Sequence, residues 1–316
     1  RYVSAYMPLR RGNVWLCHLH GAPNNESRLV REALETSPGM KTISSNNTIN
    51  TSHTGHAEVM FSLDGEPREN EGPVIGAALC YGGNYRLGIK TAEDDYHHFF
   101  AGMNEDHAPY TLEKGERFVT PPVAFVYSGE GTSGVSRIYH RWARKYKLSH
   151  GDRIRPILLN SWEGVYMDVD QPTMTKMMDD IAGLGGNLFV MDDGWFGRRD
   201  DDSSSLGDWE VDARKLPHGL KGLTDEAARK GVRFGIWIEP EMTNSNSELY
   251  KKHPDWVLKA PHRDIVEGRG GTQLVLDLSN PQVQDFIYNL VDTMLTNNPE
   301  IAYIKKSGRP SGLRKT

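Results

Sequence analysis

The sequence predicts a β-sandwich followed by a region in which parallel strands alternate with helices. Up to about residue 130 the chain consists of short apolar or alternating segments separated by Gly, Pro and Asn residues, which is typical of β-strands joined by turns. After Ser128, helical patterns appear between short apolar strands. This second pattern favours a parallel sheet covered by helices.

The composition is that of a globular protein and excludes several partner classes. The 316 residues carry a formal net charge of -5 with mixed signs and no basic stripe, so we expect no nucleic-acid partner. No apolar run is long enough to span a bilayer, so we expect no membrane partner. No signal peptide is recognisable; the cytoplasm is the default compartment, and the periplasm stays open. Cys17 and Cys80 could form one disulfide at most.

The first region contains many short strand patterns, for example at residues 13–20 and 76–81. Strands at such close intervals favour a sandwich of antiparallel sheets. Residues 134–146 place apolar side chains at helical spacing between basic ones, and Ser133 is in the position of an N-cap. We predict that this helix connects the two regions.

The second region contains strand–helix repeats from Arg155 onwards. We predict strands at residues 157–160, 188–191, 234–238 and 301–304, and helices from the Asp170 cap to Gly185, at 223–229 and at 282–295. A further extended segment is predicted at 273–276.

Polar and aromatic side chains follow each of the four predicted parallel strands. In parallel βα architectures, functional residues gather at these ends of the strands. Carboxylates accept hydrogen bonds from sugar hydroxyls, and indole rings stack on the apolar face of a pyranose. The residues concerned are Asn160, Trp162, Glu163, Asp192, Asp193, Trp195, Trp237, Glu239, Glu241 and Lys305.

Each of these residues also has a simpler explanation. One of Asp192 and Asp193 could cap the next helix, and a single Trp at a strand end belongs to the core more often than to a binding site. Their joint occurrence on three successive strand ends favours a site for a polar small molecule. Adjacent strand residues point to opposite faces, so Asp192 and Asp193 are not expected to act as a catalytic pair. Glu239 and Glu241 are expected to support the site from behind.

The segments DDGWFG at residues 192–197 and WIEPEM at residues 237–242 are long and specific. With the other segments below, they resemble glycoside hydrolase family 36, the bacterial α-galactosidases, over nearly the whole chain to about Lys305. The resemblance implies retaining hydrolysis of terminal α-D-galactosides. It implies an α-galactoside partner, no metal or organic cofactor, and a homo-oligomer in the intact protein. The other segments are 199–202, 206–209, 215–217, 253–256 and 273–277, and in the first region 20–21, 52–53 and 115–122.

The resemblance also implies a fold and its boundaries. We expect a β-sandwich domain followed by an incomplete (β/α)8 TIM barrel that contains the first four strands. The expected divisions are an incomplete N-terminal sandwich at 1–132, a linker helix at 133–152, the half barrel at 153–305 and an aberrant tail at 306–316.

Several residue roles follow from the matching motifs. Asp192 and Asp193 resemble the pair that binds the galactose C4 and C6 hydroxyls, and Trp162 and Trp237 resemble walls of that subsite. Arg269 resembles an arginine that holds the sugar, and Lys305 resembles the lysine two positions before the nucleophile. By its position, Tyr110 resembles a tryptophan of the family's sandwich domain whose side chain reaches the site.

The chain departs from the family where the nucleophile is expected. The family motif after the fourth strand is Lys-Trp-Asp, whereas Lys305 is followed here by Lys306 and Ser307, and no Asp or Glu occurs after Glu300. The family's acid/base aspartate would lie further along. We therefore expect no catalytic residue and no galactosidase turnover in this chain. A truncated or frameshifted reading frame would produce such a sequence, and Arg1 in place of Met also suggests a fragment.

Three alternatives remain from the residues. A non-catalytic galactoside-binding or structural remnant would keep the binding residues without the chemistry. A dinucleotide-binding oxidoreductase is suggested by the GxGxxG pattern at residues 129–134, which follows a strand and opens a helix. Metal binding is suggested by His18 and His20 on one strand face, although no third ligand lies nearby in the sequence.

Overall fold

The computed structural model describes residues 3–22, 25–34, 37–45, 55–104, 111–268 and 271–306. Contacts divide the chain into two compact units that meet between Arg153 and Ile154. No helix among the described residues is long and apolar enough to cross a membrane.

The first unit consists of two antiparallel sheets. One sheet has the strand order β3-β2-β5-β6-β9 and the other has the order β1-β8-β7-β4. The strands are β1 (Val3–Arg10), β2 (Trp15–Ala22), β3 (Asn25–Ala33), β4 (Gly39–Ser44), β5 (Gly55–Ser62), β6 (Val74–Leu79), β7 (Tyr85–Thr91), β8 (Tyr96–Met103) and β9 (Val123–Ser128).

The two sheets share one apolar core. Phe61 on β5 meets Phe99 on β8 edge to face, with ring centroids 5.3 Å apart. Leu16 and Leu87, which belong to opposite sheets, are also fully buried in this core. Alternating strand residues from two sheets that face each other define a β-sandwich, as the sequence predicts.

Helix α1 (Gly131–Tyr146) packs on the sandwich. Val135 is fully buried, and the Tyr139 hydroxyl donates to the Ala124 carbonyl over 2.8 Å. The predicted Ser133 cap is wrong, because the helix begins at Gly131 and Ser133 lies inside its first turn. The helix that we predicted as a connector therefore covers the sheet that contains β6 and β9.

The dinucleotide-binding alternative is also wrong. Strand β9 pairs antiparallel with β6, whereas a nucleotide fingerprint needs a parallel βαβ unit. The backbone N–H groups of Gly131, Thr132 and Ser133 donate to carbonyls of residues 68–72, so the helix start offers no free donors to a phosphate. Gly131 has a φ of +65°, and a Cβ there would lie 2.5 Å from the Arg68 carbonyl oxygen. The glycine pattern thus allows close backbone packing.

The second unit is built on a parallel sheet whose strand order follows the chain, β10-β11-β12-β15. Each connection between successive parallel strands therefore moves along the sheet in the same direction, as in a (β/α) barrel. In a doubly wound sheet, the direction of strand addition reverses. The strands of this unit are β10 (Leu158–Asn160), β11 (Leu188–Met191), β12 (Arg233–Ile238), β13 (Met242–Asn244), β14 (Gln273–Val275) and β15 (Ile301–Lys306).

Helices pack against this sheet and form the second core. The Asp170 side chain caps α3 by accepting from the Thr173 N–H over 2.7 Å, as predicted. Met174, Met178 and Leu223 are fully buried in the core that these helices form with the sheet. The helices are α2 (Trp162–Val165), α3 (Gln171–Gly183), α4 (Gly219–Arg229), α5 (Glu248–Lys252) and α6 (Pro281–Asn297), with a 3-10 turn at Pro254–Trp256.

Candidate functional site

The candidate site lies at the carboxyl ends of β10, β11, β12 and β15. Parallel pairing brings these four ends to one edge of the sheet: Asn160 is level with Val190, and Trp237 is level with Lys305. Asp192, one residue beyond β11, and Glu239, one residue beyond β12, lie at the same edge. Barrel proteins build their sites at this edge because the loops there converge.

The Asp192 carboxylate is the centre of this arrangement. Its Oδ2 accepts from Asn160 Nδ2 over 2.7 Å and from Lys305 Nζ over 2.5 Å, while its Oδ1 accepts from the Asp193 N–H over 3.0 Å. The Asp192 N–H donates to Ser161 Oγ over 2.9 Å. Residues that follow three different strands therefore fix a carboxylate that is only 4% exposed.

Asp193 contacts a different set of residues. Both of its oxygens accept from Arg199, one from Nε and one from Nη2, each over 2.9 Å. Arg199 is 2% exposed, and its Nη1 also donates to the Ser204 carbonyl over 2.8 Å. Such bidentate, charge-assisted pairing fixes both the position and the plane of the carboxylate. The adjacent carboxylates thus have different partners, although both residues follow β11.

The two glutamates after β12 are buried but differ in their partners. Glu239 Oε2 accepts from Gln273 Nε2 over 3.0 Å. Glu241 is 1% exposed, and neither of its carboxylate oxygens has a hydrogen bond within the described residues. The nearest cation is the Lys306 ammonium, 3.4 Å from Glu241 Oε1.

The two predicted tryptophans have different surroundings. Trp162 is half-buried and meets Tyr166 edge to face, with centroids 5.3 Å apart. Trp237 is 4% exposed; its ring is nearly parallel to that of Phe196, 6.3 Å away, and its carbonyl accepts from Trp195 Nε1. Trp162 therefore offers an aromatic surface, whereas most of Trp237 belongs to an aromatic cluster.

The structure brings together Asp192, Lys305 and the segment that begins at Asn160, and it places Asp193 directly beside Asp192. Arg269, Tyr110 and Ser307 lie outside the described residues. Asn160 was among the residues predicted at the strand ends, and the structure makes it a partner of Asp192. Arg199 was not among the predicted site residues. Arg199 lies in an irregular loop, where no periodicity indicates that a charged side chain is buried.

The strand histidines that suggested a metal site have other contacts. His18 Nε2 lies 3.3 Å from Glu32 Oε1, on the neighbouring strand. Burial lowers the pKa of His18 below its usual value, and the nearby Glu32 carboxylate opposes that effect. Within the described ranges, no three or more His, Cys, Asp or Glu side chains are grouped so that they could hold a metal ion.

The fold and these strand ends define the class of the protein: a β-sandwich domain followed by a (β/α)-barrel segment with buried carboxylates at the carboxyl ends of its strands. Comparisons with known families specify it further. The Melibiase family matches residues 117–309, and the glycosyl hydrolase family 36 N-terminal domain matches residues 1–113. The chain belongs to glycoside hydrolase family 36, as the sequence motifs indicate.

Curated relatives agree with this assignment. α-Galactosidase AgaA from Geobacillus stearothermophilus is 40% identical over 294 residues, which are 92% of this chain and 39% of AgaA. α-Galactosidase Mel36A from Lactobacillus acidophilus is 37% identical over 91% of this chain and 38% of its own length. The chain thus spans about 40% of the length of these relatives.

Solved structures confirm the fold class. The crystal structure of AgaA superposes with a TM-score of 0.88 at 38% identity, over 95% of this chain and 41% of the AgaA chain. The α-galactosidase from Lactobacillus brevis gives a TM-score of 0.88 at 31% identity, over all of this chain and 43% of that one. Variants of AgaA have been solved in complex with stachyose and with raffinose.

Proposed function

We propose that this chain binds the terminal α-D-galactosyl group of raffinose-type sugars, as part of an α-galactosidase. The observation that carries the proposal is the Asp192 carboxylate, held by Asn160 and Lys305 at the carboxyl ends of the barrel strands. It is supported by family membership and by the stachyose and raffinose complexes of a relative.

Each group at these strand ends has a role in the proposed recognition. The Asp192 carboxylate accepts hydrogen bonds from sugar hydroxyls, and the partly exposed Lys305 ammonium donates to them. The half-buried Trp162 ring stacks on the apolar face of the pyranose. We retain Asp193, Trp237 and Arg269 as proposed binding residues on the strength of their motifs.

Hydrolysis with retention needs two carboxylates about 5 Å apart on either side of the glycosidic bond. Asp192 and Asp193 do not meet this need, because they are adjacent residues and each carboxylate is already held by a cationic partner, Lys305 or Arg199. Ser307 stands where the family motif has its nucleophile, and a hydroxyl without a base is a poor nucleophile. We therefore propose that residues 1–316 bind galactosides without hydrolysing them.

The boundaries and assembly of the protein are part of this proposal. We propose a sandwich at 1–132, a linker at 133–152 that contains most of helix α1, a half barrel at 153–305 and an aberrant tail at 306–316. Homo-oligomers of the full-length protein are also expected, and analytical ultracentrifugation would test them.

Titration calorimetry with galactose tests the binding site. The wild-type chain is expected to bind, and Asp192→Asn is expected to weaken binding at least about tenfold, because it removes the charged acceptor while keeping the shape. Asp225→Ala is a suitable control, since that carboxylate pairs with Lys221 on helix α4 and lies outside the site.

Two outcomes would overturn the proposal. A folded wild-type chain that does not bind galactose would exclude the galactoside site. Release of nitrophenol from a nitrophenyl α-galactoside by residues 1–316 would show that the chain is catalytic after all.

A further inference from the structure

We propose that Arg199 is a positioning residue for sugar recognition, because it orients the Asp193 carboxylate toward a galactose hydroxyl. The inference rests on the proposed function. A carboxylate has about four acceptor sites, two on each oxygen. Arg199 occupies one on each oxygen of Asp193, through Nε and Nη2, which leaves one on each oxygen for a ligand.

The remaining donors of Arg199 hold the guanidinium itself. Its Nη1 donates to the Ser204 carbonyl over 2.8 Å and reaches Asn244 Oδ1 at 3.5 Å, and its Nη2 reaches Asp202 Oδ1 at 3.3 Å. Asn244 is also fixed, because its Oδ1 accepts from the Leu206 N–H over 2.8 Å. Ser204, Asn244 and Asp202 thus fix the plane of the guanidinium. The guanidinium in turn fixes the plane of the Asp193 carboxylate.

Only an arginine meets these requirements. Its planar fork of five donors serves two carboxylate oxygens, a backbone carbonyl and an amide at once. A lysine in the same place keeps the charge but is a point donor that cannot define the carboxylate plane. Arg199→Lys therefore separates charge from orientation.

A positioning role differs measurably from a purely structural one. If Arg199 only supports the fold, its replacement lowers the affinity for all sugars together. If it orients Asp193, the loss is confined to ligands that carry the hydroxyl that Asp193 receives. Galactose, its C4 epimer glucose and 6-deoxygalactose distinguish the two cases, because each analogue changes one hydroxyl.

The experiment is a calorimetric titration of residues 1–316 with these three sugars. We expect Arg199→Lys to weaken galactose binding about tenfold or more. The analogue that is altered at the hydroxyl received by Asp193 should bind the variant and the wild type with nearly equal affinity. Equal losses for all three sugars, or no loss in a folded variant, would overturn the inference.

Two further variants complete the design. Arg214→Lys is the matched control: Arg214 is itself exposed and pairs with the exposed Asp200 and the buried Asp212, neither of which contacts Asp193, so sugar preference should not change. If Arg199→Lys does not fold, Asp202→Asn decides, because it loosens the outer anchor of Arg199. It should shift the preference in the same direction by a smaller factor, and an unchanged preference would overturn the inference. Absence of galactose binding by the wild type would instead exclude the proposed function itself.

Discussion

Asp192 and Asp193 are neighbours in the chain, but their carboxylates contact different residues. Asp192 is held by Asn160 and Lys305, both from strand ends, whereas Asp193 is held by Arg199 from a loop. Both residues lie beyond the last residue of β11, so it is their partners that distinguish the two carboxylates. One adjacent pair therefore provides two acceptors with different partners at the same edge of the sheet.

Glu241 is a buried charge with unusually poor compensation, and its replacement should not destabilise the protein. Among the residues that the structure describes, neither carboxylate oxygen has a hydrogen-bond partner, and the Lys306 ammonium lies 3.4 Å from Glu241 Oε1. A buried ion without hydrogen bonds loses more solvation than a single partner returns. We expect Glu241→Met to leave the free energy of unfolding unchanged or to raise it by about 1 kcal/mol in urea titrations.

Glu239→Met is the matched comparison for that measurement. Glu239 accepts a hydrogen bond from the buried Gln273 amide, so its removal leaves a donor without this partner. We expect a loss of about 1–3 kcal/mol. A loss of similar size for Glu241→Met would show that the Lys306 pair stabilises the protein.

The strand-end residues of the site were predictable, but the loop partner of Asp193 and the burial of Trp237 were not. The positions of Asp192 and Lys305 follow from strand patterns, because parallel strands bring their ends to one edge. The burial of Arg199 depends on the path of an irregular loop, which has no periodic signal. The burial of Trp237 depends on Phe196 and Trp209, which approach it from a distant part of the chain.

Regular elements with local signals were predicted closely. Strand β11 has its predicted bounds at Leu188–Met191, because it is a short apolar run between turn residues. Helix α4 begins at Gly219, four residues before the prediction, and no side chain caps its start. Helix α1 begins earlier than predicted because carbonyls of residues 68–72 accept its first N–H groups. Such tertiary caps leave no mark in the local sequence.

The loop between β11 and α4 is fixed by one lysine. Lys215 Nζ donates to the carbonyls of Met167, Gly194 and Arg199 over 2.9–3.0 Å. Lys215→Met would leave three carbonyls without this donor, so we expect thermal unfolding to show a loss of about 2–4 kcal/mol. Lys221 forms an exposed ion pair with Asp225 on helix α4. Lys221→Met should therefore lower the free energy of unfolding by less than about 0.5 kcal/mol.

The same lysine gives the loop a dependence on pH. A hydrogen bond from Lys215 lowers the pKa of Asp200 below its usual value of 3.8. A carboxyl with a lowered pKa stabilises the folded state above the unfolded pKa and loses this effect as the pH falls through the folded pKa. The difference in stability between the wild type and Lys215→Met should therefore shrink below about pH 3.8. A constant difference would show that Asp200 does not contribute.

At the scale of the whole chain, edge strands of both units carry exposed apolar side chains, such as Tyr127 on β9 and Tyr303 on β15, but the two units differ in how their sheets are closed. The sandwich buries one face of each of its sheets in a shared core. The parallel sheet has β10 and β15 at its edges, where Leu158 and Tyr303 are exposed. Exposed apolar edge strands are sites of local opening and of pairing with other chains.

Limited proteolysis with trypsin should therefore first separate the units and then degrade the second. Residues 147–155 have no helix or strand, Ile154 is 98% exposed, and Lys147 and Arg153 offer cleavage sites, whereas the bond after Arg155 is protected by Pro156. Mass spectrometry should find cuts there, with the N-terminal fragment surviving longer. Replacing Lys147 and Arg153 with Gln should remove these cuts and leave those elsewhere unchanged. If the C-terminal fragment outlasts the sandwich, the edges of the parallel sheet are not its weak point, and its four strands form the more stable unit.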